Sequence, residues 1–207
     1  MSDAHKRSDY HEHVGYLFIY DELVAPDVGL RRWAADELPG VESVYGYLEG
    51  CQRQANAAHN NFSRERDSNH YVDRGSNQRP DIAIASFTIA PAAAAKVSGV
   101  AVPVTPSLLT AFGRHKIDYE LSPDCAGDFS EFLDGWPLWT LLATDNARRI
   151  FTAGQERNLV YLPDEYLNEV ENAFAQISKQ ARSDFTRTTI PLACPIRQMH
   201  SHRPIIL

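Results

Sequence analysis

Apolar residues fall into short blocks along this 207-residue chain, and their spacing predicts alternating strands and helices. Val14 to Tyr20 is continuously apolar and rich in β-formers, the signature of a buried central strand. Pro26-Asp27 then opens a helical stretch in which Leu30, Trp33, Ala34 and Leu38 recur at helical spacing, and Pro39-Gly40 ends it. Val41 to Gly50 alternates in part and reads as a strand. Asp81 to Ile89 alternates cleanly, and Val97 to Val104 gives another strand. Thr105 caps a short helix from Pro106 to Phe112, with proline at its first turn. Trp136 to Leu142 reads as a strand, and Thr144-Asp145 begins a helix carrying Ala147, Ile150 and Phe151. A last helix starts near Pro163-Asp164, where Leu167, Val170, Phe174 and Ile177 form one apolar stripe.

The pattern lapses in three places. Residues 1–13 form a polar, His-rich tail, and the chain from Thr188 holds three prolines and reads as a surface wrap ending in a tail over 196–207. Gln52 to Pro80 carries Asn56, Asn60, Asn61, Asn69 and Asn77 with almost no apolar periodicity. A structureless loop of that length inside a compact domain is either functional or a sign that the elements there are wrongly assigned. With no repeat and no linker, 14–195 reads as a single α/β domain. The net charge of -7 argues against nonspecific nucleic-acid binding, which needs a basic surface to displace phosphate counterions. No apolar run approaches the roughly 20 residues of a membrane helix. The N-terminal apolar run is short, is broken by Gly15 and follows acidic residues, unlike a signal peptide. Cys51, Cys125 and Cys194 are odd in number and far apart, which fits a reducing cytoplasm.

Two segments carry candidate chemistry: Tyr16 to Leu23 (YLFIYDEL) and Gly99 to Glu120 (GVAVPVTPSLLTAFGRHKIDYE). Together they resemble the two active-site segments of the γ-glutamylcyclotransferase-like family, bacterial type. That family follows its first strand with Tyr-Gly-Ser/Thr and Leu; this chain has Tyr20-Asp21-Glu22-Leu23 there. In the second segment Gly113 falls at the family's Asp position and Lys116 at its catalytic Glu position. Tyr119 matches the aromatic residue that follows. Gly50 to Asn56 (GCQRQAN), Trp136 to Arg149 and Tyr166 to Phe174 resemble further blocks in the same order, so the likeness extends over about Tyr16 to Pro195. It implies a mixed α/β fold, a small mixed-sheet β-barrel flanked by helices, with a ligand cavity at the barrel mouth and no cofactor or metal.

The resemblance also implies a changed site. In the family the glycine loop turns backbone N–H groups toward a γ-glutamyl α-carboxylate, and the Glu takes the proton whose loss lets the amine attack the γ-carbonyl. An anion nest needs bare, uncharged backbone, and a base must reach its proton. Asp21 and Glu22 stand where the anion would sit, and such like charges repel by roughly 1–4 kcal/mol in a partly buried site. Ordinary 5-oxoproline formation is therefore not expected. Two readings remain open for Lys116 with Asp21 and Glu22. One is a structural ion pair in a catalytically silent protein that binds a ligand or a partner. The other is a rebuilt site, with Lys116 as base or nucleophile and the acids holding a cationic small-molecule ligand. Substrate-binding residues would then be Tyr20, Asp21, Glu22, Leu23 and Tyr119. If residues 116–120 are a strand, Glu120 shares the face of Lys116 and could replace the lost base, while Tyr119 points the other way. His11/His13 and His200/His202 have the spacing of metal ligands but lie in the tails without supporting Cys or carboxylates, so no metal site is assigned. His59 and His70 fall in the Asn-rich loop and read as surface residues. Oligomeric state is not legible.

Overall fold

A computed structural model describes residues 12–26, 30–62, 70–115, 118–123, 128–131, 133–189 and 191–202. Strand β1 (Gly15–Ile19) is buried along its whole length, hence its unbroken apolar sequence. It pairs antiparallel with β4 (Ala83–Val104) on one side and parallel with β6 (Leu138–Ala143) on the other. The sheet continues outward from β6 to β5 (Tyr119–Ser122), and from β4 to β7 (Val160–Pro163) and β8 (Ile196–Arg197). β2 (Val44–Asn60) lies along β4 as well. Five helices among the described residues flank this mixed sheet: α1 (Leu30–Glu37), α2 (Pro106–His115), α3 (Asp145–Glu156), α4 (Asp164–Ile177) and α5 (Lys179–Thr188). β3 (His70–Asp73) and β9 (Met199–His202) form a separate antiparallel pair. The fold is mixed α/β, as expected.

β4 is the spine. The Val100 to Val104 end pairs with β1, whereas Ala83 and Ile84 pair with β7, so its two halves serve different parts of the sheet. The sheet curls so that β5 and β6 meet the first half of β4 through side chains. The Tyr119 hydroxyl donates to the Phe87 carbonyl at 2.7 Å, and the Ala143 N–H donates to Thr88 Oγ1 at 3.1 Å. β1 lies close against the other half. A Cβ on Gly99 would stand 2.4 Å from the Ile19 carbonyl oxygen, so only glycine fits there.

Several sequence expectations need correction. The expected loop over 52–60 is the second half of β2. Its inward positions are Cys51, Arg53, Ala55 and Ala57, and a buried arginine among alanines hides the alternation. The expected strands at 81–89 and 97–104 are one, carried across the polyalanine stretch while the register with β2 shifts between Glu49 and Cys51. The strand expected from Trp136 begins at Leu138. The stretch from Thr188, read as a wrap, supplies β8 and β9.

α5 went unrecognised because its buried face is Ala181, Asp184, Phe185 and Thr188, half of it polar. Asp184 makes that face viable. Its carboxylate accepts from the Tyr47 hydroxyl at 2.6 Å, Arg187 at 2.6 Å, Gln180 at 3.0 Å and the Tyr45 hydroxyl at 3.1 Å, pinning α5 to β2. Burial by itself raises this carboxyl, but Tyr47, Arg187, Gln180 and Tyr45 together hold it below the ordinary range. A depressed folded value means that the stabilisation is present above the unfolded value, near 3.9, and is lost as pH falls through the folded one. Urea unfolding from pH 6 to 3 should therefore show wild-type stability falling more steeply below about pH 4 than that of Asp184→Asn. Parallel curves would remove Asp184 from the acid response. Gly99→Ala should lose about 1–3 kcal/mol by overpacking, read from the same denaturation at neutral pH.

Candidate functional site

The chain leaves β1 at Ile19 and turns immediately. Tyr20 and Asp21 are buried, and Glu22–Val24 forms a single 3-10 turn whose N-cap is Asp21, with Oδ1 accepting from the Leu23 N–H at 3.1 Å. Below the turn lies the guanidinium of Arg53, fully enclosed. Its Nε donates to the Tyr20 carbonyl at 3.0 Å and Nη2 to the Ser98 carbonyl at 2.5 Å. Nη1 donates to Thr189 Oγ1 at 2.7 Å, with longer contacts to Phe185 O and Thr188 Oγ1. Its faces stack on Phe185 and Phe174, 4.6 and 5.1 Å from the ring centroids. Burial pulls Arg53 down to about 9, and Tyr20, Tyr166, Asp21 and Tyr45 pull it back up. It is cationic at neutral pH, and Asp21 is the one carboxylate among those four neighbours. Asp21 is its counter-charge.

Three phenols surround the turn. Burial raises Tyr20 well above the ordinary tyrosine value, with Tyr119 and Asp21 adding to the rise. Burial likewise raises Tyr166, helped by Glu22, Tyr119 and Asp21. Tyr20, Asp21, Glu22, Tyr119 and Tyr166 thus lie within electrostatic reach of one another, all phenols being neutral at pH 7. Each ring is fixed. Tyr20 donates to the Leu141 carbonyl, Tyr119 bridges Phe87 O and Ser86 Oγ, and the Phe87 N–H points at the Tyr166 oxygen at 3.4 Å. Tyr20, Asp21 and Tyr166 are buried, whereas Glu22 and Tyr119 are half-buried, with Oε2 of Glu22 closed off from solvent. This arrangement suits a group that donates hydrogen bonds and carries positive charge, because carboxylate oxygens and ring faces both favour it.

Of the residues expected in the site, Tyr20, Asp21, Glu22 and Tyr119 come together. Leu23 is half-buried and packs on the core beside them. Glu120 is not brought in. It is exposed, one residue along β5 from the inward Tyr119, and strand alternation turns it away. Lys116 lies outside the described residues. Asp118, half-buried, stands 3.8 Å from His59 Nδ1, so His59 is a partly covered β2 residue rather than a loop surface residue. Sequence reasoning attached no chemistry to Arg53 or Tyr166. Both sit in blocks that carried the family resemblance, and the inward Cys51-x-Arg53-x-Ala55 spacing was the available signal.

The histidines are placed apart from this site. His13 packs its ring on Trp136 and Tyr16 at 4.6 and 4.9 Å, and His11 lies outside the described residues. His202 stacks on His70 across the β3/β9 pair at 4.9 Å. Among the described residues no group of three or more His, Cys, Asp or Glu is placed to hold a metal ion. No described helix is long and apolar enough to cross a membrane.

No protein-family model and no curated protein matches the chain. Among solved structures, YkqA from Bacillus subtilis aligns at 12% identity and a TM-score of 0.40 over 83% of this chain. The chain spans about half of that protein, 52% of its length. A structure described as gamma-glutamyl cyclotransferase aligns at 12% identity and a TM-score of 0.38, covering 84% of this chain and 98% of that one. The uncharacterized human protein loc79017 aligns at 12% identity and 0.39, over 84% and 99%. Likeness at this level fixes neither substrate nor chemistry.

Arg53→Met keeps a flexible apolar stem but strands three backbone carbonyls and leaves Asp21 without its counter-charge. Chemical denaturation should register a loss of about 3–5 kcal/mol, the size seen when one member of a buried pair is removed. A loss under about 1 kcal/mol would mean that water reaches the guanidinium.

Proposed function

We propose that this chain is a γ-glutamylcyclotransferase-like protein with altered chemistry, acting on an amine- or amide-bearing small molecule rather than forming 5-oxoproline. The observation that carries this reading is the Tyr20–Glu22 turn, whose two acids lie beside three phenols and the enclosed cation of Arg53. Asp21 is engaged by the Leu23 N–H and by the charge of Arg53. Glu22 and Tyr119 are the half-buried members, and Oε2 of Glu22 faces inward, away from solvent. An incoming α-carboxylate would meet carboxylates where bare N–H groups are needed. An ammonium would find Glu22 as counter-charge, with the Tyr119 ring supplying a cation–π contact of about 0.5–2 kcal/mol. Lys116 is the proposed base or nucleophile, one residue before Ile117 and close in sequence to Tyr119.

A second reading is a catalytically silent protein that binds the same amine. The exposed position of Glu120, turned away from Tyr119, favours it, because the alternative carboxylate base is not beside the phenols. The two readings share the ligand and differ in turnover.

Purified protein should release no 5-oxoproline above background from glutathione or γ-glutamyl dipeptides. Titration calorimetry should find n-butylamine or putrescine binding where γ-glutamylalanine does not, and Glu22→Gln should weaken the amine about tenfold. Clear 5-oxoproline turnover, or tighter binding of γ-glutamylalanine, would overturn the proposal. Lys116→Met then separates the readings: loss of an amide- or amine-consuming activity with folding intact supports an enzyme, and unchanged amine binding without any turnover supports the silent binder.

A further inference from the structure

A cleft lies where β4 begins, at the end of that strand away from its pairing with β1. It is a groove of about 500 Å³ between α3 and the strand ends where β2 finishes and β4 begins. That volume falls within the range of small-molecule sites. Its floor is low because Gly154 lets α3 sit close to the sheet. A Cβ at that position would lie 2.9 Å from Val160 Cβ and 3.2 Å from Ala83 Cβ. Arg149 and Arg157 line the groove on the helix side, two turns apart. Asn146 and Asn60 lie along the same groove, and Asp81 joins them.

The state of the arginines sets this helix apart. Elsewhere in the described structure arginine side chains find acceptors: Arg53 on carbonyls, Arg74 on Asp164, Arg182 on Glu171, Arg187 on Asp184 and Arg197 on Asp73. The side chains of Arg148, Arg149 and Arg157 are the contrast. All belong to α3 or its C-cap, and among the described residues none makes a hydrogen bond or ion pair. In a chain with seven more acids than bases (27 against 20), α3 and its C-cap carry three guanidinium groups against Asp145 and Glu156 and so are net positive. Two of them border one polar groove. Arginine's planar fork matches carboxylate and phosphate oxygens. A separation of eight residues, about 12 Å along the helix axis, lets the two side chains address both ends of an elongated anion or converge on one doubly charged head. Asn60 and Asn146 supply neutral donors and acceptors to the middle of such a ligand.

We propose that this groove is a binding site for a small dianion, a phosphate monoester or a dicarboxylate, held by Arg149 and Arg157. It is separate from the amine site at the Tyr20–Glu22 turn and does not depend on it.

The test is a 15N-detected arginine and amide NMR titration at fixed ionic strength, with glycerol 3-phosphate, succinate and glycerol as probes. Wild type should show saturable shifts at Arg149, Arg157 and Gly154 with one or both dianions and none with glycerol. Saturation by only one dianion identifies the phosphate or the dicarboxylate source. Arg149→Gln and Arg157→Gln should each weaken that binding about tenfold or more, as expected for loss of a charge-assisted hydrogen bond. Arg182→Gln, an exposed arginine on α5, should leave it unchanged. Linear, unsaturable shifts, or shifts equal in all three variants, would overturn the proposal and leave these arginines as solvated surface charges.

Discussion

A guanidinium sealed from water must find an acceptor for each donor and a charge to balance its own, and Arg53 meets both demands by drawing four elements together. Its donors end on Tyr20 where β1 stops, on Ser98 in β4, and on Phe185, Thr188 and Thr189 at the end of α5. Phe174 of α4 and Phe185 of α5 cover its faces. The carbonyl of Tyr20 is the first acceptor after β1, so Arg53 fixes where the strand gives way to the turn. The positions of Asp21 and Glu22 follow from that.

The acid pair is therefore divided in role. Asp21 is buried, caps its own turn and balances Arg53. Glu22, one residue further, is half-buried and acts on Tyr166, with its Oε2 closed off from solvent. The proposed change of chemistry needs only this second acid. The phenols stay protonated because burial opposes phenolate formation. They offer the site hydrogen-bonding capacity and ring faces without competing negative charge. The arginine-lined groove by α3 has the opposite polarity, which places a cation-seeking and an anion-seeking surface on one small fold.

How much of this was legible in the sequence depended on whether inward positions were apolar. The run Tyr16 to Tyr20 and the stripe of Val170 and Phe174 announced β1 and α4, and both lie where the pattern placed them. The second half of β2 stayed hidden because Arg53 occupies a core position, and α5 because Asp184 and Thr188 do. Each of these polar residues is buried at the cost of a hydrogen-bond network that includes partners 33 to 139 residues away, beyond any local pattern. β3 and β9 are four residues each and pair across the chain, with histidine and serine where alternation would look for apolar side chains. The site was half legible for the same reason. Tyr20, Asp21, Glu22 and Tyr119 sit in recognisable segments, whereas Arg53 and Tyr166 acquire their meaning only from what they face.

The pairing of Asp21 with Arg53 is the central claim, and a double-mutant cycle on unfolding free energy tests it most directly. Asp21→Asn, Arg53→Lys and the double variant would be unfolded in urea at pH 7. If Asp21 balances the enclosed guanidinium, the two substitutions are coupled, with an interaction energy of about 1 kcal/mol or more. Additivity within about 0.3–0.5 kcal/mol would contradict the pairing and return Asp21 to the ligand-facing side of the turn.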